Sequence, residues 1–91
     1  MRTYRLRPSS SVKASRSNDG LVLLDVERGE LLAANAIGAG IWGLIEQGFT
    51  GDEIARRIAG DYDIPLERAE RDVDAFLAAL TARRLVSGDS R

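Results

Sequence analysis

The side chains whose spacing could carry chemistry in this chain are clustered carboxylates, in one place beside the Thr50 hydroxyl. Glu67, Glu70, Asp72 and Asp74 lie close together, and Thr50-Gly51-Asp52-Glu53 puts a hydroxyl beside two acids. Paired carboxylates can do general acid–base work. The chain has no His and no Cys, so the commonest general base, the usual partner of a Ser nucleophile and every thiolate ligand are absent. Helical spacing turns Glu67 and Glu70 in a different direction from Asp72 and Asp74, which reads as a solvated face laced by pairs such as Glu67–Arg71. Thr50 to Glu53 reads as a capping box, with the hydroxyl bonding forward and the carboxylate bonding back. No catalytic constellation, metal site or cofactor site is expected, and the protein is expected not to be an enzyme.

A chain of 91 residues, 44% of them apolar, fits one domain with a small core. No apolar run approaches the ~20 residues of a membrane span, and Met1-Arg2-Thr3-Tyr4-Arg5 lacks the apolar middle of a secretory signal. Zero cysteines imply no disulfide framework, so the expected setting is cytoplasmic, without a membrane partner. Charge is uneven. Residues 1–18 carry Arg2, Arg5, Arg7, Lys13 and Arg16 and no acid, whereas residues 19–91 carry 8 basic and 14 acidic residues. This reads as a basic N-terminal arm, 1–19, on an acidic body.

Those residues must be positioned by a short series of elements. Val12-Lys13-Ala14 is a candidate edge strand that the arm contributes. Ser17-Asn18-Asp19-Gly20 is a turn cluster. Leu21 to Val26 is the strongest strand signal, with Val22, Leu24 and Val26 on one face and Leu21, Leu23 and Asp25 on the other. Glu27-Arg28-Gly29 reverses the chain, and Glu30 to Ala34 returns as its partner. Asn35 caps a helix over about 36–47 that carries Ile37, Ile41, Leu44, Ile45 and a core Trp42. Gly38, Gly40 and Gly43 each cost up to ~1 kcal/mol in a helix interior, which predicts close approach by another backbone. Gly48 ends this helix, and Gly60 ends the next. The last helix, 66–84, buries Leu66, Ala69, Val73, Phe76, Leu77 and Leu80. Leu85-Val86 packs back on the sheet, and 87–91 reads as a flexible tail. The order predicts an α+β fold, a three-stranded antiparallel sheet followed by three helices, resembling a winged helix-turn-helix.

That shape raises nucleic-acid binding as the alternative function. Between Leu66 and Arg84, however, four arginines meet four acids, and a phosphate-binding footprint needs clustered Lys and Arg. No nucleic-acid partner is expected. The other reading uses Glu30, Leu31, Leu32, Ala33 and Ala34. As an edge strand without Pro or Lys it can accept an added strand, from a peptide or from a second copy of the chain.

Several segments together carry a family resemblance. They are Ala34-Asn35-Ala36-Ile37-Gly38-Ala39-Gly40-Ile41-Trp42-Gly43-Leu44-Ile45, Gly48-Phe49-Thr50-Gly51-Asp52-Glu53-Ile54-Ala55, Tyr62-Asp63-Ile64, Asp72-Val73-Asp74-Ala75-Phe76-Leu77-Ala78-Ala79-Leu80 and Leu85-Val86. In order and spacing, over 20–86, the chain resembles the PqqD-like family, the RiPP recognition elements or peptide-modification chaperones. The resemblance implies that 20–86 binds the leader of a ribosomally made precursor peptide as a strand added beside Glu30–Ala34, against the last helix. Carried residue by residue, it makes Glu30, Leu31, Leu32, Ala33, Ala34, Arg68, Asp72, Ala75, Phe76 and Ala79 the peptide-binding set. It further implies a partner that modifies the presented peptide: a radical-SAM enzyme, or a leader peptidase and cyclase as in lasso-peptide biosynthesis. The chain departs from the family with Ala34 where Leu is common, Ile37 where a small or hydroxyl residue is common, Arg84 where Gly is common, and Leu32-Ala33 in place of an aromatic-rich strand. These departures bear on pocket shape and leader identity more than on fold.

Overall fold

The computed structural model describes residues 5–89. Its elements are β1 (Arg5–Pro8), β2 (Val12–Ser17), β3 (Gly20–Asp25), β4 (Glu30–Asn35), α1 (Ala36–Glu46), α2 (Gly51–Asp61), α3 (Leu66–Ala82) and β5 (Val86–Asp89). Strands β2, β3 and β4 form an antiparallel sheet in that order, and β1 pairs with β5 in a second, two-stranded sheet. The fold is α+β, the three-stranded sheet preceding three helices.

Asn18-Asp19 joins the facing residues Ser17 and Gly20. The β3–β4 loop closes with the Gly29 N–H donating to the Asp25 carbonyl at 2.8 Å. Gly29 holds φ +72°, a left-handed conformation that costs glycine little. Alternation then sorts β3: Leu21, Leu23 and Asp25 are buried, while Val22 and Leu24 are exposed. Leu21 and Leu23 join Ile41, Trp42 and Ile45 of α1, Ile54 and Ile58 of α2, and Val73, Leu77 and Leu80 of α3 in one core. Trp42 is a core residue, as its sequence context implies.

All three helices end by the same device. The N–H groups of Gly48 and Phe49 bond back to Ile45 and Leu44, that of Ile64 to Ala59, and those of Arg84 and Leu85 to Thr81 and Leu80. The left-handed residues at these ends are Gly48 (φ +89°), Asp63 (φ 53°) and Arg84 (φ 58°). Such six-to-one bonds satisfy carbonyls that a helix terminus would otherwise leave open. Gly60 therefore does not end α2, which runs to Asp61 and turns at Asp63. The α1 glycines also differ from expectation. A Cβ on Gly38 would lie 2.6 Å from the Ala34 Cβ and 3.3 Å from the Phe76 ring, and one on Gly40 would lie 2.9 Å from the Tyr62 hydroxyl. These glycines admit side chains rather than a neighbouring backbone.

The capping box of α2 is present: the Thr50 N–H donates to Glu53 at 2.8 Å, and the Glu53 N–H donates to Thr50 Oγ1 at 3.3 Å. The first of these bonds leads the causes that hold the Glu53 carboxyl below its ordinary range. Glu53 is thus an ionised cap and a poor general acid. On α3 Arg68 and Asp72 pair at helical spacing, at 3.8 Å.

The β1–β5 sheet was not legible in the sequence. Residues 5–17, read as an arm contributing one edge strand at Val12–Ala14, supply two strands, β2 over that segment and β1 before it, and the first residues of the tail expected from 87 belong instead to β5. The cause lies at Arg84, whose left-handed turn reverses the chain. Leu85 is then buried, the Ser9 N–H donates to its carbonyl at 2.9 Å, and Ser9 Oγ donates to the Arg84 carbonyl at 2.8 Å. Residues 1–4 and 90–91 of the expected arm and tail lie outside the described residues. No helix among the described residues is long and apolar enough to cross a membrane.

Candidate functional site

The strand β4 is paired with β3 on one side only. Two hydrogen bonds fix which of its backbone groups are unpaired. The Val26 N–H donates toward the β2 side, to Ser11, and the Asp25 carbonyl accepts from Gly29 on the β4 side. Backbone direction alternates along a strand. Leu21, Leu23 and Asp25 therefore bond toward β4, where they face Ala34, Leu32 and Glu30. Leu31 and Ala33 turn their N–H and C=O groups outward from the sheet. This is a short ladder of strong donors and acceptors with no strand beside it among the described residues.

The β4 edge borders an open cleft of about 460 Å³, within the range of ligand-binding sites. Its strand wall is Leu32, Ala33, Ala34 and Asn35, its helical wall is Arg68, Asp72, Ala75, Phe76 and Ala79 of α3, and Ile37, Gly38 and Ile41 complete it from α1. The positions have local causes. The Asn35 side chain accepts the Gly38 N–H at 3.0 Å and starts α1 directly after β4. The missing Cβ of Gly38 leaves room for the Phe76 ring beside Ala34. Arg68 and Asp72, one turn apart on α3, supply the charged groups of an otherwise mostly apolar wall; their side chains are 57% and 40% exposed, so both reach solvent.

Of the ten residues singled out from the sequence, Leu32, Ala33, Ala34, Arg68, Asp72, Ala75, Phe76 and Ala79 line this cleft. Glu30 and Leu31 lie on the same strand but outside its walls. Asn35, Ile37, Gly38 and Ile41 were not anticipated. Asn35 read as a cap, Ile37 and Ile41 as core, and Gly38 as a helix glycine; only Gly38, costly in a helix, signalled a nearby space.

The solved structure of TbiB1 in complex with the TbiA(beta) leader peptide is 32% identical, with a TM-score of 0.81 over 93% of this chain and 99% of that one. Lasso peptide synthetase B1 complexed with the leader peptide shares the fold at 24% identity, with a TM-score of 0.79 over 91% of this chain and 98% of that one. No curated protein matches. The family model described as coenzyme PQQ synthesis protein D (PqqD) matches residues 20–86, from the start of β3 to the first residue of β5. An edge strand and a helix enclosing a cleft thus occur in a chain that belongs to the PqqD family.

Proposed function

We propose that this protein is a non-catalytic binder of the leader segment of a ribosomally made precursor peptide. The leader adds as a strand to β4, and the bound complex presents the rest of the precursor to a modifying enzyme. The observation that carries the reading is the outward-facing N–H and C=O ladder of Leu31 and Ala33 beside the apolar cleft. Backbone bonds to that ladder supply affinity for any extended peptide, and the α3 side of the cleft selects among side chains. The similar structure of TbiB1 holds a leader peptide, which supports the same ligand class here. The binding unit is residues 20–86, and Glu30 and Leu31 belong to it as parts of the added-to strand. The enzyme served is of the radical-SAM kind or of the leader-peptidase and cyclase kind.

The test is Ala33→Pro. Proline deletes an outward N–H and leaves the β3–β4 pairing alone, since edge strands tolerate it. One lost backbone bond is worth about 1 kcal/mol net, and the ring also obstructs the approaching strand. Binding of a precursor peptide that wild type binds, followed by fluorescence anisotropy, is expected to weaken about tenfold or more. The melting temperature should stay within a few degrees of wild type. A folded Ala33→Pro protein that binds the precursor normally would refute strand addition at β4.

A further inference from the structure

The three-stranded sheet has a second face, turned away from the helices. Val22 and Leu24 of β3 stand there opposite Ala33 and Leu31 of β4, with Val26 just beyond the end of β3. Val22 is 40% exposed, Leu24 37%, Val26 51% and Leu31 57%, and Ala33 is exposed as well. Exposed apolar residues scattered singly need no explanation, whereas a contiguous block of them marks an interaction site. This block is lopsided. On the same face, β2 sets Lys13 opposite Leu24 and Ser15 opposite Val22. The apolar rows are those nearest the free β4 edge, and the polar row is the farthest from it.

The geometry points to a leader read on both of its faces: Leu31 and Ala33, backed by Val22 and Leu24, form an apolar shelf that selects large apolar side chains at the alternate leader positions facing away from the helices. This rests on strand addition at β4 and extends it. A strand that bonds to Leu31 and Ala33 places residues directly opposite them, with side chains on the same face and Cβ atoms about 5 Å apart. Its intervening residues point into the cleft, toward Leu32, Ala34 and Phe76. Ala33 is small, so a bulky side chain opposite it passes over the methyl group toward Val22, one strand spacing of about 4.8 Å further in. Aromatic and β-branched residues make the most favourable cross-strand pairs in such positions. The ligand chemistry is therefore an extended peptide with bulky apolar residues at two outward positions two apart, in addition to those entering the cleft.

The experiment is selection from a displayed library of random peptides of about twelve residues on the full chain, scoring only binders that Ala33→Pro loses. Wild type is expected to enrich apolar residues in both alternating phases. Leu31→Lys changes an exposed residue on an edge strand, where Lys is well tolerated. It is expected to enrich Asp or Glu several-fold at one outward position and to leave the cleft-facing phase unchanged. Leu31→Thr, which keeps strand propensity, should lose the preference for bulky residues at that position only. If Leu31→Lys selects the same peptides as wild type with the same affinities, the shelf does not read the leader and strand addition still stands. A loss of self-association in Leu31→Lys by sedimentation, with peptide selection unaltered, would assign the shelf to a second copy and overturn the inference. If wild type yields no binder sensitive to Ala33→Pro, the strand-addition reading fails and the shelf inference falls with it.

Discussion

Gly38 sits where α1, β4 and the cleft meet, and two opposing effects can be weighed there. Alanine is the better helix former by about 1 kcal/mol. Its Cβ, however, would lie 2.6 Å from the Ala34 Cβ and 3.3 Å from the Phe76 ring, and overpacking typically costs about 1–3 kcal/mol. The clash should win, because Ala34 is held by β4 and has no rotamer to change. Gly38→Ala is expected to lower the urea midpoint and to weaken peptide binding by displacing Phe76. Arg84 presents the converse case. It holds φ 58° at the end of α3, a region that costs an L-residue roughly 1–2 kcal/mol. Arg84→Gly relieves that strain and gives back part of the gain as unfolded-chain entropy, so a stabilisation of up to about 1 kcal/mol is expected. A lower midpoint for Arg84→Gly would mean that the arginine side chain contributes more than its backbone costs. Both glycine arguments were only half legible in the sequence. An expensive residue in a helix announces that space is needed, but which neighbour fills the space depends on tertiary packing.

At the scale of elements, the sheet that carries β4 is tied together by one buried carboxylate. Asp25, the last residue of β3, accepts from Ser11 Oγ at 2.7 Å, from the Glu27 and Arg28 N–H groups at 3.0 and 3.2 Å, and from the Arg28 guanidinium at 3.2 Å. It thereby joins the start of β2 to the β3–β4 loop. The Ser11 bond is foremost among the causes that lower its pKa from 3.8 to about 2, with burial opposing. A carboxyl with a depressed folded-state pKa adds stability that is fully present above about 3.8 and is lost as pH falls toward about 2. Asp25→Asn should therefore lower the melting temperature at neutral pH and flatten the acid limb in that window. Glu53, also held low, leaves a residual slope. An acid limb identical to wild type would remove Asp25 from this role. Alternation placed Asp25 on the Leu21–Leu23 face but gave no reason for an acid to be buried there; the reason is the cluster of donors, which only the folded loop assembles. The strands β3 and β4, the two cap motifs and the α3 stripe from Ala69 to Leu80 were legible because periodicity and caps are local signals, whereas Leu66, expected in that stripe, is exposed at the start of α3. The strands β1 and β5 were not. Each is four residues long, Pro8 interrupts one and Gly88 weakens the other, and their pairing spans nearly the whole chain.

At the scale of the molecule, α3 separates two tasks. Its cleft-facing residues run from Arg68 to Ala79, whereas its C-terminal end leads through Arg84 and Leu85 into β5. The β1–β5 sheet packs on α1 through β1 and on α3 through β5. There Leu6, Leu85 and Val86 are buried with the rest of the core. The sheet is also fastened from outside by the Arg5 Nε–H donating to the Gly48 carbonyl at 2.8 Å. The cleft beside β4 is lined by β4, α1 and α3, which fits a scheme in which β1 and β5 brace the proposed leader-binding unit without touching its ligand. Deleting residues 87–91 removes the β1 pairings of Ser87, Gly88 and Asp89 but keeps Val86 in place. A few net hydrogen bonds and partial exposure of Leu6 set the expected loss at about 1–3 kcal/mol, seen as a lower melting temperature. Leader affinity, measured by titration well below that temperature, should stay within about twofold of wild type. A folded truncated protein that binds tenfold more weakly would show the opposite: that the terminal sheet, acting along α3, sets the distance between Phe76 and the β4 edge.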